Sequence, residues 1–174
     1  GYSVTVSGTA SGVWADSVEY LITGNLTIPL NTTLTIQPGT KVRFMGHYDM
    51  YVNGQLNAVG SSTNRIIITG DSTNTWNFID LNNDNSVLDY CTIEFGFRGI
   101  TTTKSPTITN CMFRKMGRSV ILSNAGSPLI QNNEVYYFND VGITLVGSNG
   151  TVSCNHIHHG NYYGAIYSTA IEQS

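Results

Sequence analysis

A repeat with a period of about 22 residues runs through the second half of the chain and restricts the folds open to it. Four nine-residue segments share one order of apolar and polar positions: VLDYCTIEF (87–95), TITNCMFRK (107–115), LIQNNEVYY (129–137) and TVSCNHIHH (151–159). Their apolar positions form two columns, Leu88, Ile108, Ile130 and Val152 in the first and Ile93, Phe113, Val135 and Ile157 in the second. Cys91, Cys111, Asn133 and Asn155 form a third column with the same period. A fixed period of this kind indicates a repeat architecture.

Each repeat has room for two or three strands that are too short to be stable alone. If the repeats stack as rungs, every strand pairs with its equivalents above and below, at a spacing of about 4.8 Å. Inward side chains then form columns of similar residues, so the period predicts an all-β solenoid, specifically a parallel β-helix. We expect the Cys/Asn column at a sharp bend, because Asn tolerates left-handed backbone better than most residues. Stacked Asn side chains can also hydrogen-bond along the column.

The first half of the chain fits the same architecture with less regular spacing. Residues 25–44 (NLTIPLNTTLTIQPGTKVRF) alternate between apolar and polar side chains, as strands with one buried face do. We expect residues 1–24 to cap the first rung, with Trp14 and Tyr20 packing on it, because an uncovered strand edge invites aggregation. Residues 25–174 are expected to form the β-helix. Because the pattern stops without a cap, we expect that more chain follows, or that a partner or second copy covers the last rung.

Three stretches, LTIPLNTTLTIQPGTKVRF, VNGQLNAVGSSTNRIIITG and SVLDYCTIEFGFRGI, resemble the right-handed parallel β-helix, or pectin-lyase-like, superfamily. The resemblance covers about residues 20–168 and is strongest to the opening rungs of large bacterial extracellular β-helix proteins. It implies a right-handed parallel β-helix, which at about 22 residues per rung has roughly seven to eight rungs. The fold hosts lyases, glycoside hydrolases, phage tailspikes and adhesins, so the resemblance does not by itself identify an activity.

Composition argues against two classes of partner. The net charge is −3 and the chain has only 8 lysines and arginines, so it lacks the basic surface that nucleic acid requires. No apolar run approaches the ~20 residues that cross a bilayer as a helix, so no membrane insertion is expected. The three cysteines include no CxxC pair, which argues against a disulfide framework or a cysteine-built zinc site. Cys91 and Cys111 share a column and are close enough for a disulfide, although stacked thiols are the favoured state.

The segment CNHIHHG (154–160) places three histidines in four positions, which raises the question of a metal site. In the repeat, however, Ile157 occupies an inward position, so His156 and His158 point outward from one strand. An open strand face lacks the convergent third and fourth ligands that zinc requires. We therefore expect these histidines to occupy ordinary positions of the repeat.

The outward side of the same strand is the most informative surface in the sequence. Opposite charges should meet there at Glu94 and Arg114, and Glu134 should lie beside His156. Such cross-strand pairs contribute only a few tenths of a kcal/mol each on a solvated face. The functional alternative is a shallow sugar-binding strip, hereafter the strip, that consists of Glu94, Arg114, Glu134, Tyr136, His156, His158 and Tyr162.

One segment offers a candidate calcium site. Asp80, Asn82 and Asp84 alternate along DLNNDNS, like the first ligands of an EF-hand loop. The sixth position is Asn85 instead of Gly, and the twelfth is Cys91 instead of Glu. We therefore favour a turn, for which Asn and Asp are suited. Calcium at Asp80, Asn82 and Asp84 is the alternative, and no other cofactor is expected.

The sequence lacks the catalytic motifs of the superfamily that it resembles: it has no Gly-His-Gly, no Arg-x-Lys and no adjacent acidic pair. Glu94 and Glu134 would lie two rungs apart, about 9–10 Å. That separation is at the outer edge of the ~6.5–9.5 Å found in inverting glycosidases. The sequence therefore predicts a non-catalytic extracellular β-helix module of a secreted or cell-surface bacterial protein, acting in adhesion or polysaccharide binding. A polysaccharide lyase or glycoside hydrolase, or part of one, is the main alternative, and a purely structural stalk is the third.

Overall fold

The computed structural model describes residues 1–161 and 164–169, and every regular element in them is a β-strand. In chain order the strands are β1 (Tyr2–Thr9), β2 (Gly12–Trp14), β3 (Val18–Ile28), β4 (Thr33–Ile36), β5 (Lys41–Phe44), β6 (Asp49–Val52), β7 (Gln55–Val59), β8 (Ile66–Thr69), β9 (Trp76–Leu81), β10 (Val87–Asp89), β11 (Cys91–Glu94), β12 (Gly96–Thr102), β13 (Thr107–Thr109), β14 (Met112–Met116), β15 (Ile121–Ser123), β16 (Leu129–Gln131), β17 (Glu134–Phe138), β18 (Val141–Val146), β19 (Thr151–Ser153), β20 (His156–Gly160) and β21 (Gly164–Thr169). Within these residues, no helix is long and apolar enough to cross a membrane.

The strands stack into three faces around one core, and the strands within each face run parallel. Face 1 is the seven-stranded sheet β2-β4-β7-β10-β13-β16-β19. Face 2 contains β5, β8, β11, β14, β17 and β20, and face 3 contains β6, β9, β12, β15, β18 and β21. Strand β3 pairs with β5 through its first half and with β6 through its second, so it joins faces 2 and 3 into one sheet. The described residues form seven rungs, and their parallel pairing confirms the predicted parallel β-helix.

Adjacent rungs are paired in the register that the repeat predicts. Both apolar columns are aligned pair by pair, from Leu88 to Val152 on face 1 and from Ile93 to Ile157 on face 2. The first three members of each column are 0% exposed. Apolar side chains therefore fill the interior from rung to rung, and this contact between neighbouring rungs stabilises strands that are individually too short.

The corner between faces 1 and 2 differs from the prediction by one residue. The left-handed residues there are Tyr90, Asn110, Asn132 and Cys154, with φ of 50°, 53°, 59° and 55°. Each directly precedes a member of the Cys/Asn column, so the prediction of left-handed backbone within that column was wrong. The column itself faces the interior, where Cys91 and Cys111 are buried free thiols.

The predicted hydrogen bonding along the Cys/Asn column is confirmed at Asn133 and Asn155. The side-chain oxygen of Asn133 accepts from the Cys111 N–H at 2.9 Å, and its amide nitrogen donates to the Ile108 carbonyl at 3.0 Å. Asn155 repeats the pattern one rung later, accepting from the Asn133 N–H at 3.0 Å and donating to the Ile130 carbonyl at 2.9 Å. The amides thereby satisfy backbone groups at a corner, where the strand ladder is interrupted.

A second left-handed corner joins face 2 to face 3. It is formed by Phe95, Lys115, Tyr137 and His159, with φ of 62°, 56°, 54° and 55°. Side chains in this column contact one another across rungs: the Lys115 ammonium lies 5.1 Å from the Phe95 ring, and the Tyr137 and His159 rings are 5.3 Å apart. This corner therefore carries an exposed edge of aromatic and basic groups beside the outward side of face 2.

At the N-terminal end, β1 pairs with β3 along the edge of the first rung. Trp14 and Tyr20 are buried there, with their stacked ring centroids 4.4 Å apart. Strand β2 and the first half of β3 already pair in register with β4 and β5. The ladder of rungs therefore begins near Gly12, within the segment 1–24 that the sequence assigned to the cap.

Candidate functional site

The outward side of face 2 has the arrangement that the repeat predicts. Two columns run across four rungs in register, Thr92, Met112, Glu134 and His156 in one and Glu94, Arg114, Tyr136 and His158 in the other. The described members of the strip therefore lie on one surface. Tyr162, the remaining member, lies outside the described residues.

At one end of the strip, Glu94 and Arg114 form the expected ion pair. Arg114 Nε donates to Glu94 Oε2 at 2.7 Å, and Thr69 Oγ1 donates to Glu94 Oε1 at 2.9 Å. The Glu94 side chain is only 13% exposed. The hydrogen bond to Glu94, above all, raises the pKa of Arg114, so the guanidinium stays charged. Glu94 thus has partners for both oxygens within the protein.

At the other end of the strip, Glu134 lies beside His156 as expected, but its carboxylate contacts His158. Its backbone pairs with His156, but Glu134 Oε1 reaches diagonally to His158 Nε2 at 3.0 Å. The His156 and His158 rings are stacked, with centroids 4.4 Å apart. Tyr136 supports His158 from the neighbouring rung, with parallel rings 5.0 Å apart. One ligand atom from each of Glu134, His156 and His158 lies within 4.8 Å of the other two.

The three residues considered for calcium contact three different neighbours. Asp80 Oδ1 accepts from Thr101 Oγ1 at 3.1 Å. Asn82 Nδ2 donates to Asn53 Oδ1 at 3.4 Å, and Asp84 Oδ1 accepts from the Ser105 N–H at 3.0 Å. These bonds join each residue to an adjacent rung. Asn82 and Asp84 lie in the predicted turn, but Asp80 lies within strand β9, so the prediction that it belongs to the turn was wrong. Calcium at Asp80, Asn82 and Asp84 stays a prediction.

A groove on face 3 was not predicted from the sequence. It has a volume of about 550 Å³, and its lining includes two aromatic rings, two carboxylates and two guanidinium groups: Tyr51, Phe78, Asp80, Asp140, Arg98 and Arg118. Tyr51 and Phe78 meet edge to face, with centroids 5.4 Å apart. Because its lining residues come from successive rungs, the groove runs along the axis of the β-helix.

The floor of the groove is one outward column that crosses four rungs. Tyr51 is paired with Asp80, Asp80 with Thr101, and Thr101 with Leu122. The step along the chain from Tyr51 to Asp80 is longer than the two steps that follow it, which are equal in length. Aligning the outward residues of face 3 from rung to rung could have revealed this column in the sequence. The longer first step hides it, because it breaks the regular period.

The aromatic end of the groove also has fixed hydrogen-bonding groups. Tyr51 Oη donates to Asp49 Oδ2 at 3.2 Å, and Asp49 Oδ1 accepts from Asn77 Nδ2 at 2.6 Å. Loss of hydration, followed by the hydrogen bond and charge of Asp49 and the charge of Asp80, raises the pKa of Tyr51. Its hydroxyl therefore stays protonated at neutral pH, and the ring keeps one orientation.

The other end of the groove carries two guanidinium groups and the carboxylate of Asp140. Arg98 and Arg118 are exposed, and within residues 1–161 and 164–169 neither lies within ion-pair distance of a carboxylate. The Arg118 guanidinium lies 5.5 Å from the Phe97 ring, which restricts its position. Donor groups at this end are thus available to a ligand, in contrast to Arg114 on the strip.

A family model described as "Right handed beta helix region" matches residues 71–170 of the chain. No curated protein and no solved structure matches. The matched segment contains the last rungs of all three faces, including most of the groove and the described part of the strip. The match concerns the repeat, so any function must be argued from the side chains on its outer surface.

Proposed function

The chain belongs to the right-handed β-helix family, and from that premise we propose that it is a non-catalytic, secreted or cell-surface module that binds a polysaccharide in the groove of face 3. Adhesion through such a polysaccharide is the role it would serve on a cell surface. The fold itself is compatible with several roles, so the argument depends on the side chains.

The observation that carries the proposal is the combination of groups in the groove. Sugar-binding sites pair apolar ring faces with a few fixed polar groups. The Tyr51 and Phe78 rings supply the first, and Asp80 and Arg118 supply the second, with the exposed Arg98 beside them. The column that crosses four rungs spans about 14 Å, because rungs are about 4.8 Å apart. That length suits a segment of a linear polymer better than a single small molecule.

The positions of the carboxylates favour binding over hydrolysis. Asp80 lies on β9, in the third rung, and Asp140 directly precedes β18, in the sixth. Three rungs correspond to about 14 Å, whereas the carboxyls of glycosidases lie about 5–9.5 Å apart. Asp80 is also hydrogen-bonded to Thr101. On the strip, Glu94 is engaged by Arg114 and Thr69, which leaves the groove as the better site for a glycan.

Native affinity electrophoresis against a panel of plant, algal and bacterial polysaccharides tests the proposal. We expect retardation in at least one polymer without its breakdown. Tyr51→Ala and Arg118→Ala should each reduce the retardation, because they remove a stacking ring and an available donor. Tyr136→Ala, which removes a tyrosine from face 2, is the matched control and should be retarded like the wild type.

Each other outcome identifies a different function. Retardation that depends on Tyr136 and not on Tyr51 would move the glycan to the strip. Release of soluble oligosaccharides would support a lyase or hydrolase, and Arg98→Ala would then test whether a groove guanidinium takes part. Absence of retardation in every polymer would contradict the proposal and favour a structural stalk.

A further inference from the structure

We propose that Glu134, His156 and His158 bind a divalent transition-metal ion, with Zn²⁺ as the best-matched probe, on the outward side of face 2. This site is separate from the groove of face 3, so it does not depend on the proposed glycan binding. Three potential ligand atoms, one carboxylate oxygen and two imidazole nitrogens, lie within 4.8 Å of one another. They come from two adjacent strands, β17 and β20.

The fold brings these ligands together by two regularities of a parallel sheet. His156 and His158 are two positions apart on β20, so their side chains leave the same side of the strand. Glu134 is directly paired with His156 on the next rung. The sequence predicts no metal here, because a strand face alone offers no convergent third ligand. The diagonal reach of Glu134 to His158 supplies that ligand.

Small side-chain rotations are enough to close the site around an ion. Zinc ligands lie about 2.0–2.2 Å from the metal in a tetrahedral arrangement, so donor atoms are roughly 3.3 Å apart. The Glu134 and His158 atoms are already 3.0 Å apart. His156 is exposed, and its ring can approach the other two without moving a buried group.

His158 is held in the orientation that a ligand needs. Its Nε2 faces Glu134, while its Nδ1 contacts Nδ1 of His159, which lies at the left-handed corner. A metal-binding histidine usually donates the N–H of its second ring nitrogen to an acceptor. Glu134 can only accept, so His158 Nε2 carries the proton in the ion-free protein; when a metal replaces that proton, His158 Nδ1–H donates to His159 Nδ1. The Tyr136 ring stacks on the His158 ring at a centroid distance of 5.0 Å and limits its rotation. His159 and Tyr136 are therefore positioning residues.

The chemistry of the donor set selects the class of metal. Calcium and magnesium prefer sites built entirely from oxygen, whereas imidazole nitrogens suit zinc, copper and nickel. The nearest cation on the same outward columns, Arg114, is neutralised by Glu94. The carboxylate of Glu134 therefore supplies an uncompensated negative charge when both histidines are neutral. With three protein ligands, a fourth position stays open to water or to a further ligand.

Equilibrium dialysis and titration calorimetry with Zn²⁺ on tag-free protein, first dialysed against chelator, test the site. We expect saturation at one ion per chain, with little competition from excess Ca²⁺. Glu134→Gln and His156→Ala should each weaken the affinity about tenfold or more, and His159→Ala about tenfold through loss of positioning. His47→Ala is the control, because His47 lies between β5 and β6 and contacts the Thr75 carbonyl instead.

Circular dichroism spectra and unfolding temperatures in chelator should match those of the wild type for all four variants, since these side chains are on the surface. Substitution of Co²⁺ should give visible absorption bands typical of four-coordinate metal, which Glu134→Gln removes or shifts. Lack of saturable zinc binding would overturn the proposal. So would binding that survives both Glu134→Gln and His156→Ala, or binding that requires His47.

Discussion

At one corner of the β-helix, a single residue in each of four successive rungs has left-handed backbone, which costs conformational free energy. Asn fills that position at residues 110 and 132, whereas Cys154 fills it in the last rung, with φ of 55°. For most L-residues this conformation costs about 1–2 kcal/mol, and Asn tolerates it better. Asn132 and Cys154 are both exposed, so burial does not obscure the comparison.

We therefore expect Cys154→Asn to raise the free energy of unfolding by about 0.5–1 kcal/mol, because it relieves backbone strain without changing the core. Urea denaturation under reducing conditions measures the change. The reverse substitution, Asn132→Cys, should lower stability by a similar amount. Equal stability of the wild type and both variants would show that the corner stores no strain at these positions.

At the scale of an element, the Cys/Asn column connects the corners of neighbouring rungs. Asn133 bonds to backbone groups of the previous rung, and Cys91 and Cys111 do the same more weakly through their thiols. The Cys111 Sγ lies 3.4 Å from the Leu88 carbonyl, and the Cys91 Sγ lies 3.5 Å from the Ala58 carbonyl. The Cys111 side chain, and after it burial, raises the pKa of Cys91 well above that of a free thiol, so it stays neutral.

Asn133→Leu should lower the free energy of unfolding by about 2–4 kcal/mol, because it leaves the Cys111 N–H and the Ile108 carbonyl buried without partners. Asn133→Cys is the matched comparison, since the previous two rungs use Cys here, and a smaller loss of about 1 kcal/mol is expected. Both values come from urea denaturation. Equal losses for the two variants would mean that packing volume, and not hydrogen bonding, stabilises the corner.

The same column illustrates what the sequence can predict. Period and register follow from recurring side-chain types, so the apolar columns and the outward columns of face 2 were predictable from residues 87–159. The sequence placed the left-handed residue one position too late, because Asn occurs at both adjacent positions, as at Asn132 and Asn133. Register does not determine side-chain conformation, so the contact of Glu134 with His158 could be identified only in the structure.

The groove on face 3 was missed for a different reason. Its floor includes Tyr51 and Asp80, which belong to rungs separated by a longer connection than the later ones. A fixed period cannot align residues across such an insertion, although stacking places them side by side. The lining residues are also of ordinary types for a solvated face, so only their convergence around one volume distinguishes them.

At the scale of the whole molecule, each rung contacts only its neighbours, which makes stability nearly a sum of local terms. Two buried phenylalanines are suited to a test because they lie in distant rungs of face 2. Phe113 on β14 is aligned with Ile93 and Val135, and Phe44 on β5 stacks on Trp76 at 5.4 Å. Both side chains are 0% exposed.

Phe113→Ala should cost about 3–5 kcal/mol, because it removes a large side chain and leaves a cavity. Hydrogen exchange followed by mass spectrometry should then show faster exchange in β11, β14 and β17, with β4–β6 changed least, since local opening propagates between adjacent rungs. Phe44→Ala should give the mirror pattern, with the largest increases in β3, β5 and β8. A uniform increase along the chain in both variants would contradict nearest-neighbour stability and would mean that the seven rungs unfold as one cooperative unit.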